Sequence, residues 1–339
     1  MISCGVQCLV CDYPIHLDTY SGCSHACRYC FVKQKYSIDN VHPLDSAKKL
    51  MAFINGKRTA DTKWCDWAIP IHWGANSDPF QACELEHKKS LECLEVFAET
   101  HYPFIVSTKN PVLLTSEPYL GLMSRCDCVL QISMVCSKYD KLETGAPIFK
   151  ERLNAASTLS KRVTRVIARV QPFFPDCFKD ILAEIPNYAS AGIYGIIVEG
   201  YSTFKQQKGM QKDGSKYDFP LEVLVPMYKE IKEECHNNGL RFFCGEDRVR
   251  FLGDSLTCCG TENLEAFKPN TFNVEHLAHD VGVKAKDAMK STDTFQPFKC
   301  RSQHQRWAAV CKGKSFEQLM HLVGDDYVEW YSELREEWS

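Results

Sequence analysis

The sequence predicts an α/β protein whose parallel sheet curls into a full or partial barrel. Three observations carry that prediction. Short, mostly apolar runs alternate with longer amphipathic ones between about residues 15 and 244. The short runs are apolar on both sides, as expected of strands covered on both faces. Beyond about residue 245 the alternation stops, so the sheet is expected to end there. Successive βα units joined by right-handed crossovers build such a sheet.

In chain order the candidate strands are 15–19, 68–73, 103–107, 128–134, 163–171, 193–199 and 240–244. Helical patterns occupy 44–54, 84–99, 149–159, 177–189 and 219–237. The last is the strongest, with Leu221, Leu224, Val225, Met227, Tyr228 and Ile231 on one side. The stretch KQQKGMQKDGSK, residues 205–216, is polar and lysine-rich. It reads as an exposed loop after the sixth strand, or as a lid at the barrel mouth. The tail is expected to be mostly short helices ending in one over 316–337. The chain divides into a cysteine-rich segment 1–13, a barrel 14–245 and an extension 246–339.

Composition narrows the function classes. The chain has 339 residues, 45% apolar and 24% charged, with a net charge of −3. That balance gives no broad drive toward nucleic acid, although a local basic groove stays open. No apolar run approaches the ~20 residues that span a bilayer, and no membrane partner is expected. The N-terminus lacks the charged and apolar regions of a signal peptide, so a cytoplasmic protein is expected. Its 19 cysteines are therefore not read as a disulfide framework. Cys65, Cys93, Cys126, Cys128, Cys177 and Cys235 lie in or beside apolar patterns and read as small buried hydrophobes.

The remaining cysteines cluster. Cys4, Cys8 and Cys11 form a C-x3-C-x2-C triplet, and Cys23, Cys27 and Cys30 repeat it. A cubane iron–sulfur cluster takes soft thiolates at close spacing. Three thiolates leave one iron open to the amino and carboxylate groups of a small molecule. Structural zinc prefers four ligands and paired C-x2-C units. The second triplet follows the first strand, where a barrel builds its site. The first precedes that strand, so it reads either as free thiols or as part of a second metal site. The tail offers Cys244, Cys258, Cys259, Cys300 and Cys311 to complete such a site, the adjacent Cys258 and Cys259 suiting ligation best, as an auxiliary iron–sulfur cluster or a zinc ion.

The stretch 20–31, YSGCSHACRYCF, resembles the cluster loop of the radical S-adenosylmethionine (SAM) superfamily, with Tyr29 just before the last cysteine. More narrowly, the chain resembles the spore photoproduct lyase-like branch. WGANSDPFQ (73–81) followed by Glu84, STKN (107–110), ISM (132–134), ETGAP (143–147) and Arg152-Leu153 match that branch in order. The resemblance covers roughly residues 14–200. It implies a partial (β/α)6 TIM-type barrel with a C-terminal, mostly helical, cysteine-containing extension. It also implies a [4Fe–4S] cluster on Cys23, Cys27 and Cys30, with SAM on the fourth iron. A low-potential electron donor such as flavodoxin or ferredoxin would start the reaction.

The same resemblance places SAM contacts at Tyr29, Phe31, Asn76, Ser77, Asp78, Lys109 and Ser133. Lys109 matches the position that meets the SAM carboxylate through a charge-assisted hydrogen bond. Arg169, Gln171 and Glu199 end strands five and six; they read as cofactor contacts or as an internal polar network. The lyase carries a hydrogen-donating cysteine where this chain has Ala75. Cys83, in the same loop, and Cys136, past the fourth strand, are the thiols nearest to replacing it. Two function classes follow: a radical SAM enzyme on a peptide, nucleic-acid base or small metabolite, or a zinc-stabilised nucleic-acid-binding protein without radical chemistry.

Overall fold

The computed structural model describes residues 2–4, 11–33, 39–59, 62, 68–214, 216–270 and 332–339. Eight strands form the central sheet and neighbour one another in chain order. They are β1 (Ile2–Cys4), β2 (Ile15–Leu17), β3 (Ile71–Trp73), β4 (Phe104–Thr108), β5 (Cys128–Ser133), β6 (Arg165–Phe173), β7 (Gly195–Gly200) and β8 (Arg241–Cys244). From β2 to β8 every pairing is parallel. These seven strands fall on the seven runs expected from the sequence. The edge strand β1 was not expected. It pairs antiparallel with β2, Ile2 opposite Leu17 and Cys4 opposite Ile15. Three residues are too few to show a period of two.

Helices α1 (Ser46–Ile54), α2 (Glu84–His87), α3 (Lys89–Thr100), α4 (Tyr119–Met123), α5 (Phe149–Leu159), α6 (Phe178–Ser190) and α7 (Leu221–Asn237) lie between the strands. The single helix expected over 84–99 is two, broken at Lys88, whose φ is +54°. The cause is Glu84. Its carboxylate turns back to accept the N–H groups of Ser90 and Leu91, each at 2.8 Å, and so caps α3.

Side chains alternate across the sheet, as strand geometry requires. Phe104, Val106, Cys128, Leu130, Val166, Ala168, Ile196, Val198, Phe242 and Cys244 pack in the large core on the helix side. Their neighbours Ile105, Val129, Ile167, Ile197 and Phe243 form a separate buried cluster with Tyr13, Cys259 and Phe267. The inner face therefore carries an apolar layer at the N-terminal half of β4–β8, floored by the start of the chain and its tail. Two residues along each strand the same face turns polar: Ser107, Gln131, Arg169 and Glu199. One further step reaches Lys109, Ser133 and Gln171 at the C-terminal ends.

Two expectations are corrected. The stretch read as a loop after the sixth strand carries a small antiparallel sheet of Ser202–Thr203, Gln211–Asp213 and Lys216–Asp218. Its outer strand Gln211–Asp213 is fully exposed, so no apolar period marks it. The tail was expected to be mostly short helices; Asp247–Leu252 forms a short 3-10 helix, whereas the described stretch 253–270 contains none. It runs as irregular chain across the floor. Of the helix expected over 316–337, the described residues 332–338 are helical and the rest lie outside the described residues. Cys65 also lies outside them. No helix among the described residues is long and apolar enough to cross a membrane.

Candidate functional site

The second cysteine triplet lies in a loop at the C-terminal end of β2, fastened from four directions. At its root the Tyr20 hydroxyl donates to Glu84, and Ser77 Oγ donates to Tyr20 O at 2.8 Å. Gln81 is fully buried; its Oε1 accepts Ser24 N at 2.8 Å and its Nε2 donates to Gly22 O at 3.2 Å. His25 bridges two walls: Nδ1 is 2.9 Å from Gly145 O, and Nε2 is 3.1 Å from Asp78 Oδ2. From the loop after β5, Gly145 N donates to His25 O at 3.1 Å and Leu142 O accepts Arg28 N at 2.9 Å. Gly145 has no room for a side chain, since a Cβ there would lie 2.7 Å from His25 Cα.

This scaffold holds Cys27 in electrostatic reach of both Cys23 and Cys30. Cys27 is 8% exposed, and Cys23 and Cys30 are half-buried. Burial pushes the Cys27 thiol up to about 12, while Lys109 pulls the other way. Burial also pushes Cys23 up to about 11, although its sulfur accepts the backbone N–H groups of Asp78 and His25. Bare thiolates are thus disfavoured here without added positive charge. One buried and two half-buried thiols, N–H donors to sulfur and a nearby lysine fit a thiolate-ligated iron–sulfur cluster.

Facing the loop is a charged network. Lys109 Nζ donates to Ser133 Oγ at 3.4 Å, lies 4.0 Å from Glu143 Oε1 and sits 5.7 Å over the Tyr29 ring. The Tyr29 hydroxyl donates to Glu143, and Glu143 pairs with Arg152. Burial holds the Glu143 carboxyl above its ordinary range, against the pull of Arg152. Arg152 also donates to Ser133 O at 2.8 Å and Pro147 O at 2.7 Å. Behind Tyr29 lie Tyr139 at 6.0 Å and Phe174 at 6.4 Å between ring centres. Phe31 is exposed.

The segment after β3 is mostly engaged in holding the loop. Asp18 accepts Asn76 N at 3.0 Å, Asn76 Nδ2 at 2.8 Å and Ser77 N at 3.1 Å. Asp78 accepts Phe80 N at 2.9 Å, Thr108 Oγ1 at 2.8 Å and Lys109 N at 2.6 Å, besides meeting His25. Burial alone would raise its carboxyl; His25 and these N–H groups bring it down to about 2. Asn76 is the exposed member of the three.

Deeper on the same face, Arg169 donates to Gln171 and, at 2.6 Å, to Gln131 Oε1. Its other terminal nitrogen is 3.8 Å from Glu199. Burial, with Asp247 and Glu246 nearby, pushes the Glu199 carboxyl up to about 8 against the pull of Arg169. His72 Nε2 lies 3.0 Å from Ser107 Oγ, and His16 meets His72 edge-on at 5.9 Å.

The other cysteines separate into two places. Cys83 precedes α2, half-buried and within electrostatic reach of Cys23. Cys136 is buried, and its thiol turns to Cys177 and Asp180 rather than to the cluster loop. At the floor, Cys11 lies in electrostatic reach of Cys258 and Cys259, whose sulfurs are 3.9 Å apart. Tyr13 Oη is 2.7 Å from Thr261 Oγ1, and Asn270 N donates to Asp12 O at 2.9 Å. The structure thus joins the first triplet's last cysteine to the tail pair. Cys8, Cys300, Cys311 and the Cys4 side chain lie outside the described residues.

Sequence reasoning gave no site role to Asp18, Gln81, Glu143 or Arg152. All four are buried and polar. Glu143 and Arg152 stood in the matched segments, and charge in an apolar neighbourhood was the available signal.

No known family model matches the chain. Uncharacterized proteins of Mycobacterium bovis and Mycobacterium tuberculosis are each 23% identical to it over 197 residues, 54% of this chain and 57% of theirs. The chain thus spans little more than half the length of the curated relatives it matches. Among solved structures it is similar to SuiB of Streptococcus suis bound to S-adenosylmethionine, with 12% identity over 69% of this chain and 51% of that chain and a TM-score of 0.46. It is also similar to anSMEcpe with bound AdoMet and the Cp18Cys peptide, at 10% identity over 94% and 96% of the two chains, TM-score 0.45. A third is TsrM of Kitasatospora setae, a radical S-adenosylmethionine methyltransferase, at 9% identity over 66% and 51%, TM-score 0.44. Likenesses this remote say nothing of activity.

Proposed function

We propose that the chain is a radical SAM enzyme that takes a hydrogen atom from a still unidentified substrate. The observation that carries this reading is the Cys23-x3-Cys27-x2-Cys30 loop, braced at the C-terminal end of β2 and faced by Lys109. In this reading Cys23, Cys27 and Cys30 hold a [4Fe–4S] cluster. Bound there, the cluster would supply the single electron for reductive cleavage of SAM.

The chain's own residues bind, orient and exclude water. Lys109, released from Glu143, gives a fixed cation for the SAM carboxylate. Ser133 and the exposed Asn76 add hydrogen-bonding groups at neighbouring strand ends. Tyr29, backed by Tyr139 and Phe174, supplies a flat apolar wall for the adenine, with Phe31 at its rim. Ser77 and Asp78 act through the loop that they hold. Arg169, Gln171 and Glu199 stand across the inner face from the cluster loop, where a substrate would enter. An electron carrier of low potential, of the flavodoxin or ferredoxin kind, completes the system. Cys83, beside Cys23, is the thiol best placed to return a hydrogen atom.

Cys11, Cys258 and Cys259 form the core of a second, auxiliary metal site in this proposal. Likeness to the spore photoproduct lyase-like branch supports the initiation chemistry; Ala75, where the lyase has a thiol, speaks against dimer repair as the reaction.

Anaerobic reconstitution tests the proposal. Wild type should bind iron and sulfide near four per cubane cluster and form 5′-deoxyadenosine from SAM under reduction. The Cys27→Ala variant should form none above background. A colourless protein holding only zinc would instead support the binding-protein class.

A further inference from the structure

We propose that Cys136, Cys177 and Asp180 form a binding site for one soft divalent cation of the zinc class, apart from the cluster loop and the floor. Their two sulfurs and a carboxylate oxygen all lie within 4.8 Å of one another. Two thiolates about 2.3 Å from one tetrahedral ion stand about 3.8 Å apart. The donors are therefore close enough to share an ion without rearranging the fold.

The three ligands come from rigid places. Cys136 follows the end of β5. Cys177 immediately precedes α6, and Asp180 lies in its first turn. Cys177 and Asp180 thus reproduce, with one carboxylate, the spacing of a C-x2-C pair on a single turn. Sulfur and carboxylate together select a zinc-class ion over magnesium or calcium, which take oxygen alone.

Charge favours the assembly. Two thiolates and a carboxylate bring three negative charges against two on the ion. The N-terminus of α6, a helix of 13 residues, offsets part of the excess. Lys138 Nζ lies 2.6 Å from Asp180 Oδ2 and adds a cation at the rim. Both thiols are nearly enclosed, whereas the Asp180 and Lys138 side chains are 35% and 60% exposed. The ion enters from that side, and water takes the fourth position.

The site has a consequence for the cofactor wall. Cys136 leads directly into the turn Ser137–Lys141, which carries Tyr139. Tyr139 packs on Tyr29, and its hydroxyl donates to Pro172 O at 2.6 Å. An ion here pins the exit of β5 to the start of α6, and so pins the support of Tyr29.

The test uses full-length protein, reconstituted anaerobically and stripped of loose metal with a chelator. Zinc retained against a chromophoric chelator is then counted. Wild type should hold one equivalent more than Cys177→Ser, and Asp180→Asn should weaken that equivalent at least tenfold. Cobalt(II) should give a thiolate-to-metal charge-transfer band in wild type and in Cys126→Ser, with that intensity lost in Cys177→Ser. Equal zinc and equal cobalt spectra in wild type and both site variants, with superimposable circular dichroism, would overturn the proposal. So would peptide mapping that finds Cys136 and Cys177 joined as a disulfide in protein never exposed to oxidant. If Cys177→Ser does not fold, the half-exposed Asp180→Asn decides the matter alone.

Discussion

The two ends of the inner face use cysteine in opposite surroundings. At the C-terminal end, three cysteines from one short loop are held by side chains and backbone from the segment after β3, from Glu84 of α2 and from the loop after β5. At the floor, Cys11 meets Cys258 and Cys259 from the far end of the chain, among Tyr13, Phe267 and the apolar layer. One end takes its thiols from local sequence and its rigidity from distant partners. The other takes its thiols from distant sequence and its rigidity from apolar packing. The difference predicts that the two ends respond separately to substitution.

The sharpest break should come at Gly145. Alanine there drives a methyl group into the His25 backbone. Overpacking of this kind costs about 1–3 kcal/mol. It should also displace the cluster loop, so Gly145→Ala should retain well under half the wild-type iron after reconstitution. Full iron content would show that the loop does not depend on that wall.

At the floor, Phe267→Ala should lower unfolding free energy by ~3 kcal/mol, the usual cost of emptying a buried phenylalanine site. Iron bound per folded molecule at Cys23, Cys27 and Cys30 should be unchanged, which denaturant titration and iron analysis can check together. A milder cut is Tyr13→Phe, which removes the hydrogen bond to Thr261. Its expected cost is about 1 kcal/mol, read as a shifted midpoint with an unchanged denaturant slope.

The smallest effect concerns the fastening of the tail to β8 and α7. Asp254 accepts Phe242 N at 2.9 Å and lies near His236, Lys232 and Arg241. Burial alone would raise its carboxyl, but Phe242 N–H, His236 and Arg241 hold it below the ordinary range. A depressed carboxyl stabilises fully above its unfolded pKa, about 3.9, and loses that contribution as pH falls through the folded value. The melting-temperature gap between wild type and Asp254→Asn should therefore be open at neutral pH and close below about pH 4. A gap that is constant with pH would assign the effect to packing.

Much of the fold was legible because its signals are local. Each parallel strand is an apolar run bounded by turns, and the Cys23–Cys30 spacing lies within one loop. The helix 84–99 was misread because its break depends on where the Glu84 carboxylate turns. The lysine-rich sheet was misread because strands without a buried face leave no hydrophobic period. Cys177 read as a core hydrophobe and is buried in the core, but burial alone does not name Cys136 as its neighbour. His25 shows the same limit: its place in the loop was plain, but Asp78 and Gly145 as its partners were not.

By itself the sequence determined the order of the βα units and the triplet fit for a cluster. Period and spacing carry these, and both are properties of adjacent residues. Tertiary structure alone decided which distant groups meet: His25 with Asp78 and Gly145, Tyr29 with Glu143, Cys11 with Cys258, and Cys136 with Cys177. Those meetings are fixed by the register of parallel strands and the crossover helices between them, which bring residues far apart in the chain to one end of one face.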